Sequence, residues 1–200
     1  MKIRSLAAAA SIGFVLILAI PAQAAEVKVL SGGGMRQVLE DLGPKFERAT
    51  GHRLAITFDS GGATVKRVLG GEAADVVIIP QPGIARLVKD GKAAAGDVTV
   101  VARSDIGVAV RKGAPKPDIS SPEALKRALL AAKSITYGDP AGGSTSGTHF
   151  AKVLDRLGIA NEMKSKTILG TSGGAPGVFV ANGEAEIAVQ LIQLLISVPG

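Results

Sequence analysis

Ser60-Gly61-Gly62-Ala63, followed by Gly71-Glu72-Ala73, decides how this chain is organised, because the pattern returns at the same spacing as Ser172-Gly173-Gly174-Ala175 and Gly183-Glu184-Ala185. A strand-like run precedes each copy (Leu54 to Phe58, Lys166 to Leu169) and another follows it (Asp75 to Ile79, Ile187 to Gln190). Short apolar runs bounded by glycine read as buried strands. Each copy therefore reads as strand, glycine turn, short helix, strand. Two further strand-to-helix junctions carry similar residues, Ser31-Gly32-Gly33-Gly34 and Gly142-Gly143-Ser144-Thr145-Ser146-Gly147. A helix N-terminus presents unpaired N–H donors and a partial positive charge, and a nearby serine adds a hydroxyl. Four such ends, two in each half, point to two similar lobes closing on a small anion. The same residues suit ordinary turns and N-caps, and it is the repetition at fixed spacing that shifts the reading toward a shared site.

Outward from the repeat, strand and helix signals alternate along the whole chain. Val27 to Leu30 reads as a strand, and Met35 to Ala49 as a helix with Met35, Val38, Leu39, Leu42 and Phe46 on its inward face. Asp75 to Ile79 reads as a strand buried on both faces. Val98 to Val110 reads as a long strand broken at Arg103-Ser104-Asp105, the expected crossing between lobes. Ser121-Pro122-Glu123 opens a helix with a cap and a proline at its first turn. This alternation predicts mostly parallel sheets with ligand at the carboxyl ends of the strands.

The first residues have a different character. Lys2 and Arg4 precede an apolar run from Leu6 to Ile20, and Ala22-Gln23-Ala24 fits a small-x-small cleavage site, so residues 1–24 read as a secretory signal peptide rather than an uncleaved anchor. The expected product is periplasmic. The chain has no cysteine, which excludes disulfides, thiol catalysis and cysteine metal sites. Its formal net charge of +6 is spread among acidic neighbours, and it contains no Trp and one Tyr. No basic stripe with stacking aromatics exists for nucleic acid. Apolar residues run up to Val198-Pro199-Gly200, a pair usual in turns, so further C-terminal elements are expected.

Enzyme motifs mostly fail. Gly143-Ser144-Thr145-Ser146-Gly147 resembles a nucleophile elbow, but Thr145 holds the central position and no orienting acid is evident. His52 and His149, the only histidines, are far apart in sequence, and no cluster has metal-ligand spacing. Asp59 and Asp139 suit turn capping better than acid–base work.

The stretches 27–51 and 58–78, "SGTHFAKVLDRLGI" at 146–159 and "NGEAEIAV" at 182–189 resemble the periplasmic molybdate-binding proteins, type II solute-binding proteins that feed ABC importers. The resemblance implies a two-lobe α/β fold of the type II periplasmic-binding-protein kind, with mostly parallel sheets, a hinge, and a C-terminal return to the first lobe that is cut short here. The expected division is a first lobe over 25–101, a second over 102–190, and the start of the return segment at 191–200. In molybdate binders serines near the first two helix starts hold the oxyanion. Here Gly34 and Gly62 fall at those places, and Gln190 or Leu191 falls where a tyrosine is expected. The expected function is capture of a small anion, a molybdate-like oxyanion or a small carboxylate, by a monomer that hands it to ABC transporter membrane subunits, with no catalysis, cofactor or metal. The ligand residues expected are Ser31, Gly34, Ser60, Gly61, Ser144, Thr145, Ser146, Ser172 and Gly173. Because some relatives are periplasmic isomerases of unsaturated carboxylic acids, such an isomerase is the alternative, with Asp59, Asp139 or His149 as base and Arg36 or Arg103 as carboxylate clamp.

Overall fold

The second half of the repeated pattern is a helix stop. In the computed structural model, which describes residues 24–170 and 175–199, α2 (Gly61–Leu69) and α7 (Ala175–Asn182) close on Gly71 and Gly183, with φ of 94° and 82°. Gly71 N donates to Val68 O and Glu72 N to Arg67 O, both at 3.1 Å. Gly183 N donates to Val180 O at 3.0 Å and Glu184 N to Phe179 O at 2.8 Å. A left-handed residue lets the chain reverse while its amides satisfy the last helical carbonyls. A side chain in that conformation costs about 1–2 kcal/mol, which is why glycine occupies the same place in both copies.

β1 (Glu26–Gly32), β2 (Arg53–Asp59) and β3 (Val76–Ile78) form a parallel sheet in the order β2-β1-β3. α1 (Arg36–Thr50) and α2 make its connections, and α3 (Gln81–Lys89) follows β3. The second sheet has the order β4-β7-β5-β6, from β4 (Ile106–Ala109), β5 (Ile135–Gly138), β6 (Thr167–Gly170) and β7 (Ile187–Leu191). Only the β4–β7 pair is antiparallel. α4 (Pro122–Ala131), α5 (Thr145–Arg156), α6 (Ala160–Lys164) and α7 connect these strands, and α8 (Ile192–Ile196) follows β7. The result is the two-lobe, mostly parallel α/β fold that the alternation predicts. Around the second sheet, Leu129, Ile135, Phe150, Leu154, Ile159, Met163, Ile187 and Val189 are buried together, with Tyr137 edge-on to Phe150 at 5.1 Å between ring centres. The first lobe has a smaller core centred on Leu30, Val68 and Leu87.

Three local expectations are corrected. Of Val98 to Val110, only Ile106–Ala109 is strand. Residues 98–105 form no strand, although Asp105 O accepts from Ile192 N at 3.0 Å, and Val100 and Val101 are exposed. β3 is an edge strand rather than a central one, so Val76 is exposed instead of buried. On α1, Val38, Leu42 and Phe46 face outward, because the helix rests on β2 through Gly43, beside Leu54 and Ile56. Periodicity finds an apolar stripe without revealing whether the adjoining sheet is wide enough to cover it.

Candidate functional site

The carboxyl ends of β2 and β5 lead into two helix starts that meet across the lobes. Ser60 caps α2, its Oγ accepting from Ala63 N at 3.1 Å, and the same hydroxyl donates to Gly142 O of the other lobe at 2.9 Å. Beside it, Gly62 N donates to Gly143 O at 3.1 Å. Ser144 caps α5 by accepting from Gly147 N at 3.1 Å, and its Oγ lies 3.4 Å from Ser146 Oγ. Gly61 faces Thr145: a Cβ added to Gly61 would sit 2.9 Å from Thr145 Oγ1. The opening amides of α5, those of Thr145 and Ser146, have no carbonyl within the helix to bond.

Thus Ser60 and Gly61 of the first lobe come together with Ser144, Thr145 and Ser146 of the second. Ser31 is fully buried one residue below Gly32, which pairs with Asp59 at the end of β2, and its Oγ donates to Gly32 O at 3.2 Å. Gly34 is placed elsewhere. A Cβ there would meet Gln193 Nε2 at 2.9 Å and Leu191 Cδ1 at 3.1 Å, and Gln193 Nε2 donates to Gly34 O at 3.3 Å. Its partner is therefore α8, not α2 or α5. Ser172 and Gly173 lie outside the described residues.

The two aspartates flank the contact from opposite lobes. Asp59 Oδ1 accepts from Ser60 N at 2.7 Å, and its other oxygen lies 3.8 Å from Arg67. Arg67 is itself committed to a forked pair with Glu72 at 2.6 Å on both bonds. Asp139 Oδ1 accepts from Ala141 N at 2.9 Å, while Oδ2 points along the turn, 3.4 Å from where a Cβ on Gly142 would stand. Among the described residues nothing bonds the second oxygen of Asp139, which stands beside the interlobe contact. His149 is exposed on α5. Arg36 opens α1 with its guanidinium 4.3 Å from the ring centre of Phe58, the residue paired with Ser31. Among the described residues no group of acidic and histidine side chains could hold a metal ion.

Sequence reasoning did not assign roles to two glutamines. Gln190, in β7, is 4% exposed, with no partner for its Oε1 among the described residues. Gln193 joins Gly34 O to Ser104 Oγ. Each is a polar residue inside an apolar run, and Gln190 or its neighbour Leu191 falls where the resemblance expects a tyrosine.

This arrangement, two α/β lobes meeting at helix starts, is that of a solute-binding protein. Residues 27–200 match the bacterial extracellular solute-binding protein family, and the chain belongs to it. An aconitate isomerase from Pseudomonas sp is 33% identical over 95% of this chain and 74% of its own length. A molybdate-binding protein from Azotobacter vinelandii is 28% identical over 86% of this chain and 66% of its own length. The solved periplasmic molybdate-binding protein of Azotobacter vinelandii superposes with a TM-score of 0.67 at 20% identity, covering 82% of this chain and 71% of that one. The expectation of a protein that is no enzyme is corrected by the first of these relatives, which bears an enzyme's name over nearly the whole chain. The physical reason is that binding and isomerisation need the same cradle of donors. They differ by one well-placed base, which a pattern of glycine turns does not display.

Proposed function

We propose that this protein holds a small unsaturated polycarboxylate where α2 and α5 begin and isomerises it by moving one proton. The second oxygen of Asp139, which no described residue bonds, stands beside the Ser60–Gly142 contact and is the observation that carries the reading, and the kinship with an aconitate isomerase supports it. The Asp139 carboxylate takes a proton from a carbon made acidic by the adjoining unsaturated carboxylate. The electron pair moves into that carboxylate as the double bond shifts, and the same carboxyl returns the proton at the far end of the three-carbon system. No oxidant or co-reactant is needed. The amides of Gly61, Thr145 and Ser146 and the Ser144 hydroxyl receive the charge as it moves onto oxygen, which is where fixed donors assist most. Arg36 supplies the cation for a second carboxylate.

Capture of a tetrahedral oxyanion for an ABC importer, with the importer's membrane subunits as partners, is the second reading. The molybdate-binding relative favours it. Under either reading residues 1–24 act as a leader cleaved before Ala25, residues 25–101 and 102–190 form the two lobes, and the product works in the periplasm.

Incubating the secreted protein with cis-aconitate in deuterated water and following trans-aconitate by proton NMR tests the proposal. Conversion is expected, with deuterium entering the product to the extent that the Asp139 carboxyl exchanges its proton with solvent before returning it. Asp139→Asn keeps the Oδ1 acceptor for Ala141 and should lower the rate by roughly 10²–10⁴, the usual contribution of a general base. Molybdate binding without any conversion would replace the first reading with the second.

A further inference from the structure

We infer that Thr64 and Thr148 are positioning residues, whose hydroxyls lock the carbonyls of Ser60 and Ser144 and so aim the amides of Gly61 and Thr145 at the bound anion. This rests on the reading of the α2–α5 junction as the anion site. In both helices the capping serine is followed four residues later by a threonine. Ser60 O accepts from Thr64 N at 2.9 Å and from Thr64 Oγ1 at 3.0 Å. Ser144 O accepts from Thr148 N at 2.9 Å and from Thr148 Oγ1 at 2.8 Å. A carbonyl oxygen has two lone pairs, and here each is engaged.

The helix α4 provides the contrast. Ser121 caps it in the same way, accepting from Ala124 N at 3.1 Å, but the residue four positions on is Leu125, and Ser121 O receives only the Leu125 amide, at 2.9 Å. Ser121 and Leu125 line a groove with Val153 and Leu157, at the far end of α5 from Ser144. The doubled bond thus stands at the two capped starts that meet across the lobes and not at the third. Helix propensity does not call for it, since threonine is a weaker helix former than alanine or leucine. Packing does not call for it at Thr148, which is exposed.

The consequence follows from the planarity of the peptide. In a trans unit the C=O of one residue and the N–H of the next point in opposite directions. Holding Ser60 O down into α2 therefore holds the Gly61 N–H outward along the helix axis, and Ser144 O does the same for Thr145 N. The Gly61 peptide has most to gain, because glycine leaves its backbone free to swing. Among the first amides of α2, Gly62 N is taken by Gly143 O and Ala63 N by the Ser60 hydroxyl, which leaves Gly61 N to meet a ligand. Thr145 stands directly across, its Oγ1 2.9 Å from where a Cβ on Gly61 would lie. Donors fixed in advance need no reorientation when charge arrives on an oxygen, which is the condition under which they help most.

The test measures dissociation constants for trans-aconitate and molybdate, unliganded melting curves and the amide proton shift of Thr145 on adding each probe. The proteins compared are wild type, Thr148→Val, Thr148→Ser, Thr64→Val and Thr64→Ser. Valine keeps the shape and deletes the hydroxyl; serine keeps the hydroxyl. Thr148→Val should melt with wild type, bind roughly 2- to 12-fold more weakly, as the loss of one neutral hydrogen bond predicts, and show a smaller Thr145 shift. Thr148→Ser should restore both affinity and shift, and the Thr64 pair should repeat the pattern in affinity. If the buried Thr64→Val fails to fold, the exposed Thr148 decides. Wild-type affinity in Thr148→Val overturns the inference, as does Thr148→Ser binding as weakly as the valine variant. So does a lower unliganded melting temperature in Thr148→Val, because the hydroxyl would then be serving the helix. If wild type binds neither probe, the α2–α5 site fails and the inference with it; if wild type binds and the valine variants bind equally, only the positioning role fails.

Discussion

Replacing Gly62 with alanine attacks the interlobe contact at its tightest point. The added Cβ would stand 2.8 Å from Gly143 Cα and 3.1 Å from Gly143 O. Carbon atoms prefer about 3.5–4.0 Å, so the overlap to be relieved is about 0.7–1.2 Å. Both colliding atoms belong to backbone, so no rotamer change relieves it, and the lobes must separate. Separation gives up two hydrogen bonds, Ser60 Oγ to Gly142 O and Gly62 N to Gly143 O. At about 0.5–1.5 kcal/mol each, the closed form loses about 1–3 kcal/mol, a factor of roughly 5–150 in its population. Alanine is also a better helix residue than glycine by up to about 1 kcal/mol, so the α2 helix itself should not suffer. Gly62→Ala should show a larger radius of gyration by small-angle X-ray scattering and weaker anion binding by calorimetry, with an unliganded melting temperature near wild type. A radius and an affinity both equal to wild type would refute the argument, because the lobes would then be able to meet without that contact.

Three other substitutions probe separate parts of the structure. Thr136→Val removes a buried hydroxyl that has no partner and should stabilise by about 1 kcal/mol, a rise of roughly 2–4 °C in melting temperature for a chain of this size; a fall would mean that the hydroxyl is satisfied. Ser144→Ala deletes the cap on Gly147 N and should cost about 0.5–2 kcal/mol in thermal unfolding, with a simultaneous loss of anion affinity that a cap remote from the ligand would not produce. The Arg67 hydrogen bond holds the Glu72 carboxyl below its usual range. Its small stabilising effect is therefore present at neutral pH and is lost as pH falls through that depressed value. Glu72→Gln should melt slightly below wild type at pH 7 and at the same temperature once both are well below that range.

The fold was legible because its signals were local. Ser60, Ser121 and Ser144 each cap the helix that their position announces, and Gly71 and Gly183 stop two helices with one geometry. What the sequence hid depends on partners distant in the chain. Nothing near Gly34 tells that Gln193 fills the space beside it. The apolar stripe of α1 carries the same pattern whether covered or bare. At the site, the meeting of Gly62 with Gly143 was not readable, although both glycine turns were. The commitment of Asp59 and the freedom of Asp139 arise from how each turn folds around its own carboxylate. The resemblance marked Gln190 or Leu191 as the expected place of a tyrosine, but not that the Gln190 acceptor is buried with no donor among the described residues.

Gln193 has a mechanical consequence. One side chain grips both the turn before α1, through Gly34 O, and the segment leading into β4, through Ser104. A fastening of this kind acts as a pivot pin: parts rotating about it travel far at the rim and hardly at all at the axle. Spectroscopic labels beside positions 34 and 193 would keep their separation throughout a cycle of opening, whereas a pair at 61 and 145 would register nearly the whole stroke. Cutting the pin by Gln193→Ala should turn a single swing into a looser wobble, seen as a broader distribution of distances at the rim with little change in its mean.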